Sequence, residues 1–173
     1  MQRNRCRASA CYRCSRCWET TCGKSSTRVF SSGAVVPEAP QRWLAPLHHR
    51  FKWPFDTMQV TSEWEFPAQW EVLPTAVQCL GLTRLVEEAL SNVIKHSQAT
   101  KVRVYCSQTP LTGELLVAIK DDGIGFDVQA VRQAGLSVGM LSMAARAQRL
   151  GAELQVQSRP GRTLVSVPVS TAV

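Results

Sequence analysis

The chain has 173 residues, a net charge of +7 and a hydrophobic share of 45%, enough for one ordinary domain with a core and little room for a second. No apolar run approaches the ~20 residues that cross a bilayer. Arg3, Arg5 and Arg7 have no apolar stretch behind them, which excludes a secretory signal and makes a cytoplasmic location the expectation.

The basicity is local. Residues 1–30 carry Arg3, Arg5, Arg7, Arg13, Arg16, Lys24 and Arg28 against a single acid, Glu19, so most of the charge belongs to this segment. The rest of the chain is close to neutral, and nucleic acid is not expected as a partner. Cys6, Cys11, Cys14, Cys17 and Cys22 crowd the same segment. A Cys-x-x-Cys-x-x-Cys run can gather thiolates on zinc or an iron–sulfur cluster, but the segment has no His and no clear fourth ligand. The preferred reading is a disordered, reduced Arg/Cys-rich leader over residues 1–50, where no periodicity is sustained. Gly23-Lys24-Ser25 imitates the end of a phosphate-binding loop, but Trp18 stands where its first glycine belongs and no strand precedes it.

A domain is expected over residues 51–173. The stretch from Thr57 to Trp64 alternates as a half-buried strand. Pro67 and Pro74 bracket a loop, and Thr75 is placed to cap a helix. In that helix Leu82, Leu85, Val86, Ala89, Leu90, Val93 and Ile94 form one apolar stripe. Lys101–Ser107 alternates as a strand with Val102, Val104 and Cys106 on one face, and a hairpin at Pro110–Gly113 leads into the strand Glu114–Lys120. A mobile Gln/Gly/Ser stretch leads to a helix over about Met140–Leu150 that ends at Gly151, and two closing strands, Glu153–Ser158 and Leu164–Val169, flank Arg159-Pro-Gly-Arg. The order implies an α+β two-layer sandwich, with helices packed on one face of a mixed, largely antiparallel sheet.

On a helical wheel of about 100° per residue, Glu87, Ser91 and Lys95 lie opposite the stripe and form a solvated face. Glu88, Asn92 and His96 step down its flank, half-buried. Oxygens there can hold Mg²⁺, a hard cation that shares its ligands with phosphate and water; ordinary boundary polarity is the other reading. Asp121-Asp-Gly-Ile-Gly-Phe ends a buried strand. Gly123 and Gly125 permit close backbone approach, and a carboxylate beside them can accept a hydrogen bond from an adenine amino group, although Asp-Gly turns are common in hairpins.

The order of four segments is more specific than any one of them: Glu88 to Thr100, Asp121 to Phe126, Gly139 to Gly151 and Pro160 to Thr163. Together they resemble the catalytic ATP-binding domain of sensor histidine kinases, in the branch paired with helix-turn-helix response regulators. The resemblance spans about Phe51 to Val169 and implies the histidine kinase-like ATPase fold, shared with type II topoisomerase, Hsp90 and mismatch-repair ATPases. It implies ATP and Mg²⁺ as cofactors and these roles: Glu88 as catalytic acid/base and possible metal contact, and Asn92 as catalytic residue and Mg²⁺ ligand through ATP. His96 closes the same face, Asp121 reads adenine, Gly123 and Gly125 lie beneath the base, Gly139 belongs to the phosphate-side lid, and Thr163 supports Asp121. Ser137 and Ser142 depart from the family's lid glycines, and the Pro160–Thr163 turn lacks a further glycine before the threonine.

The implied reaction is transfer of the ATP γ-phosphoryl to a histidine on a separate or missing dimerisation domain. Its partners would be that acceptor domain or a full-length kinase and, indirectly, a response regulator. His48-His49-Arg50 lacks a helical pattern and a following acid, so no acceptor is expected in this chain and it should be inactive alone. The alternatives are a non-catalytic nucleotide-binding module or truncated kinase remnant, and a zinc- or nucleic-acid-binding tail that the domain merely regulates.

Overall fold

The computed structural model describes residue 36 and residues 39–134 and 138–171. The Arg/Cys-rich segment, the Gly23-Lys-Ser decoy and Ser137 lie outside the described residues. The first described element is a helix, α1 (Pro40–Thr57), with proline at its first position, where a missing N–H costs nothing. Trp43, Leu44, Leu47, Phe51 and Phe55 are buried along one stripe of it, each such burial being worth about 1.5–3 kcal/mol.

This helix corrects two expectations. It runs through the boundary expected at residue 50, so residues 40–50 belong to the core-forming unit, and His48, His49 and Arg50 are helical. Pro46 and Pro54 inside the helix hid the pattern, because each removes a ladder hydrogen bond and reads locally as a break. The following strand starts later than expected: β1 is Thr61–Glu65, after Gln59 turns the chain with φ of 58°.

From there the elements follow the expected order with one addition, a short helix at Val128–Ala134 where a mobile stretch was expected. Helix α2 (Ala76–Asn92) continues into a π-helical turn, Val93–Ser97. Strands β2 (Lys101–Gln108) and β3 (Glu114–Asp121) form the hairpin. Helices α3 (Val128–Ala134) and α4 (Val138–Arg149) precede β4 (Gln155–Arg159) and β5 (Arg162–Ser170). The sheet order is β1-β2-β3-β5-β4, with β1 parallel to β2 and every other pair antiparallel. Val102, Val104, Val117, Ile119, Val165 and Val167 lie buried in one cluster with Leu82, Val86, Ala89 and Leu90 of α2. This is the mixed α+β sandwich that the pattern implies.

Helix α1 is fastened to α2 by more than apolar contact. The Trp43 indole N–H donates to Thr83 Oγ1 at 2.8 Å and to the Cys79 carbonyl at 3.2 Å. Cys79 and Cys106 are buried, and burial pushes their thiols up to about 11 and about 12, which makes them packing residues without thiolate reactivity. Among the described residues no helix is long and apolar enough to cross a membrane.

Candidate functional site

Helix α2 is started by a reciprocal capping box. Thr75 Oγ1 accepts from the Gln78 N–H at 3.2 Å while Gln78 Oε1 accepts from the Thr75 N–H at 2.8 Å. Its apolar stripe faces the sheet, which leaves Glu88 and Asn92 half-buried on one flank. The turn that follows is π-helical, so ideal α-helical phase no longer holds past Asn92; such widenings are frequent at functional sites. His96 accordingly is exposed rather than half-buried, yet it lines the same cleft as Asn92. Gln98, with φ of 52°, ends the helix.

Glu87 departs from expectation. It is not merely solvated: Arg50 of α1 reaches its carboxylate at 2.5 Å and Arg84 at 3.1 Å.

The helix end meets the turn after β3. The Ser97 carbonyl accepts from the Ile124 N–H at 2.8 Å, and the Gly123 carbonyl accepts from the Gly161 N–H at 2.8 Å. A Cβ on Gly123 would collide with the Ser97 carbonyl oxygen, and one on Gly125 with the Arg159 carbonyl; Gly125 also has φ of +69°. Glycine is required at Gly125 for conformation and at both positions for space.

Asp121 ends β3 and is only 5% exposed. Burial pushes its carboxyl above the usual carboxylate range, partly countered by the Gly123 N–H, which donates to Oδ1 at 3.0 Å. Asp122 has the opposite task. It turns away and accepts from the Thr100 N–H, the Thr100 hydroxyl and the Lys101 N–H at 2.8, 2.6 and 2.8 Å. Its slight burial would raise its pKa, but these bonds outweigh that and hold it below the usual range.

Thr163 is the cross-strand neighbour of Asp121 and is buried. Its hydroxyl lies 3.0 Å from Ser158 Oγ, which accepts from the Phe126 N–H at 2.9 Å. Ser158 was absent from the sequence-based site. The two-residue turn at Pro160–Gly161 pairs Ser158 with Thr163 by simple counting outward, so the signal was available.

A cavity of about 370 Å³ opens between these parts, a size that suits a small ligand. Asn92, His96, Asp121, Gly125 and Thr163 line it, joined by apolar walls from Ile119, Phe126, Val131, Met140 and Met143. Gly123 is a buried part of the turn itself and does not line the cavity. Glu88 and Gly139 face each other beside Asn92: a Cβ on Gly139 would meet Glu88 Oε1, with Asn92 Nδ2 at 3.5 Å. Val131 belongs to a stretch expected to be mobile, and Met140 and Met143 were expected on a helix but not as walls of a cleft. Among the described residues no three His, Cys, Asp or Glu side chains converge to hold a metal by themselves.

The histidine kinase-, DNA gyrase B- and HSP90-like ATPase family matches residues 78–171, more than half of the chain. The chain belongs to this family. Three relatives bear the same stamp. Sensor histidine kinase ComP of Bacillus subtilis (strain 168) is 31% identical over 83 residues, which is 48% of this chain and 10% of that protein. Signal transduction histidine-protein kinase/phosphatase DegS of Brevibacillus brevis is 37% identical over 53% of this chain and 24% of its own length. Sensor histidine kinase LiaS of Bacillus subtilis (strain 168) is 36% identical over 58% of this chain and 28% of its own length. The chain thus spans a minor part of each. The resemblance to the kinase branch paired with helix-turn-helix regulators stands, as does the ATP-binding, kinase-type character of the ATPase domain. Solved structures agree on the fold. The histidine kinase domain of Erythrobacter litoralis EL346 blue-light activated histidine kinase aligns with a TM-score of 0.63 at 19% identity, covering 80% of this chain and 66% of that one. Acinetobacter baumannii histidine kinase AdeS aligns with a TM-score of 0.65 at 12% identity, over 79% of this chain and 66% of that one.

Proposed function

We propose that the cleft binds ATP with Mg²⁺ in the cytoplasm and presents the γ-phosphoryl to a histidine of a separate dimerisation domain, ADP being the leaving product. The observation that carries this reading is the convergence of a buried carboxylate, Asp121, and a half-buried amide, Asn92, on one cavity with an apolar wall.

The two ends divide the labour. Asp121 accepts from the adenine amino group; its Oδ1 is already aligned by the Gly123 N–H. The absent Cβ atoms at Gly123 and Gly125 let the turn pack against the Ser97 and Arg159 carbonyls, which fixes the wall against which the base would lie, and Thr163 and Ser158 tie the neighbouring strands together beside Asp121. At the other end Asn92 would supply an oxygen to Mg²⁺, with Glu88 beside it, a hard-oxygen set that fits the ion only in company with phosphate and water. The ion would neutralise charge on the phosphates, and the protein's share of the catalysis is positioning and electrostatics. Glu88, against Gly139 and beside Asn92, would orient an incoming acceptor imidazole or accept its proton. The N-terminus of α4, from Gly139, offers backbone N–H groups to the phosphates. His96 stands at the rim.

The test is thermal unfolding of the chain with and without Mg·ATP. The melting temperature should rise with ligand, and Asp121→Asn should remove most of the rise; an unchanged curve for the wild-type chain overturns the proposal. Phosphotransfer is read separately by mixing the chain with a helical hairpin bearing an acceptor His and γ-labelled ATP. Nucleotide binding without labelled hairpin would leave a binding module in place of a kinase.

A further inference from the structure

Helix α2 carries two adjacent acids that face different neighbours, about 100° apart around the helix. Glu88 points to Gly139 of α4. Glu87 points to α1, where Arg50 Nη2 lies 2.5 Å from Oε1 and Arg84 Nη1 lies 3.1 Å from Oε2. Both Arg50 and Glu87 side chains are about three-quarters covered, 25% and 24% exposed, so the pair is less screened than a surface ion pair. The Arg50 guanidinium sits 5.2 Å from the centroid of the Phe51 ring, and its Nε is buried with no hydrogen-bond partner. Burying that N–H costs free energy, and the contact to Glu87 offsets it. The arginine is therefore held by one carboxylate, on the turn of α2 that bears Glu88 and one turn before Asn92.

We infer that Arg50 and Glu87 form a positioning pair that sets the rotation and height of α2, and through it the placement of Glu88 and Asn92 at the phosphate end of the cleft. This rests on the nucleotide-site reading above and deepens it. Two anchors join α1 to α2. Trp43 binds one turn earlier, at Cys79 and Thr83, and fixes the helix near its start. Arg50 fixes it where the site begins. A rotation of α2 about its axis, with Trp43 still in place, would move Glu88 and Asn92 but leave Asp121 untouched, because Asp121 belongs to the sheet. The pair therefore acts on one end of the cleft only.

The separating measurement is calorimetric titration of the full chain with two ligands: a non-hydrolysable ATP analogue with Mg²⁺, and ADP in the presence of a chelator. The first reports the phosphate and metal end; the second is anchored mainly at Asp121. Arg50→Gln and Glu87→Gln should each weaken the Mg²⁺-analogue by about tenfold, as loss of a supporting partner behind a metal ligand does, and leave ADP binding unchanged. Arg50→Lys should keep wild-type affinity, since a single nitrogen makes the contact. Equal losses for both ligands, or no loss for either, overturn the inference while the nucleotide site stands. A wild-type chain that binds neither ligand overturns the nucleotide-site reading and this inference with it. Should Arg50→Gln fail to fold, Glu87→Gln, which keeps the side-chain shape, decides by the same criterion.

Discussion

The two ends of the cleft are built from different materials. The end proposed for adenine is backbone held by backbone: the Ser97 carbonyl takes the Ile124 N–H, the Gly123 carbonyl takes the Gly161 N–H, and two glycines leave no room for a Cβ. The end proposed for the phosphates is side chain against a helix terminus: Glu88 and Asn92 under Gly139 of α4, with Val138 and Leu141 exposed at 80% and 63%. Backbone contacts cannot yield without unfolding a turn, whereas a carboxylate can change rotamer at little cost. The first end is suited to reading a base and the second to closing over a variable load of phosphate and metal.

The sharpest break of this comparison is Gly125→Ala. The methyl group would enter the Arg159 carbonyl, and the backbone there has φ of +69°, so strain and collision add. A loss of roughly 3 kcal/mol in unfolding free energy is expected, measured by denaturant titration, with nucleotide-induced stabilisation lost as well. A loss below about 1 kcal/mol would mean that the adenine end is more pliable than its hydrogen bonds imply.

Much of this contrast was legible in the sequence, and the reason is physical. The stripe of α2, the capping Thr75, the Gly123–Gly125 pair and the Arg159–Arg162 turn are local signals, carried by spacing within a few residues. What stayed hidden depended on distant partners or broken periodicity. Helix α1 was masked by Pro46 and Pro54, although Trp43, Leu44, Leu47, Phe51 and Phe55 are its stripe. The π-helical turn shifted His96 off the wheel drawn for an ideal helix. Glu87 looked solvated because its partner Arg50 lies on an element the pattern did not show.

A second test uses the neighbouring aspartates, one lining the cleft and the other bonded to Thr100 and Lys101. Asp122→Ala removes an acceptor for three hydrogen bonds and should lower stability by about 1 kcal/mol, water replacing the lost partner at an exposed site. Because its folded pKa is depressed, that contribution is present above the ordinary carboxylate value and fades as pH falls through the lower folded value. Asp121 runs the other way. Its folded pKa is raised by burial, so the ionised form burdens the fold at neutral pH and the burden lifts on acidification. Asp121→Asn should therefore raise the melting temperature of the ligand-free chain at pH 7, with the gain vanishing toward about pH 4. Melting curves of both variants across that range check the two signs. If both variants move stability in the same direction at pH 7, the division between ligand-facing and fold-facing acid is wrong.

The smallest expected effect is the most direct probe of the contrast. Gly139→Ala places a methyl group toward Glu88 Oε1, a collision as close as the one at Gly125 but with the far end of a flexible side chain. Gly139 lies in the first turn of α4 and has no left-handed backbone angle to preserve. The carboxylate can swing aside, and alanine is the better helix former by up to about 1 kcal/mol in a helix interior, less at a terminus. Stability should therefore change by no more than about 0.5 kcal/mol in either direction, read by the same denaturant titration as Gly125→Ala. Any change in Mg·ATP affinity should follow from the displaced Glu88 and should not appear for ADP without metal. Equal damage from the two alanines would show that the phosphate end is as rigid as the adenine end, and α4 would then be a fixed wall of the cleft in place of a lid.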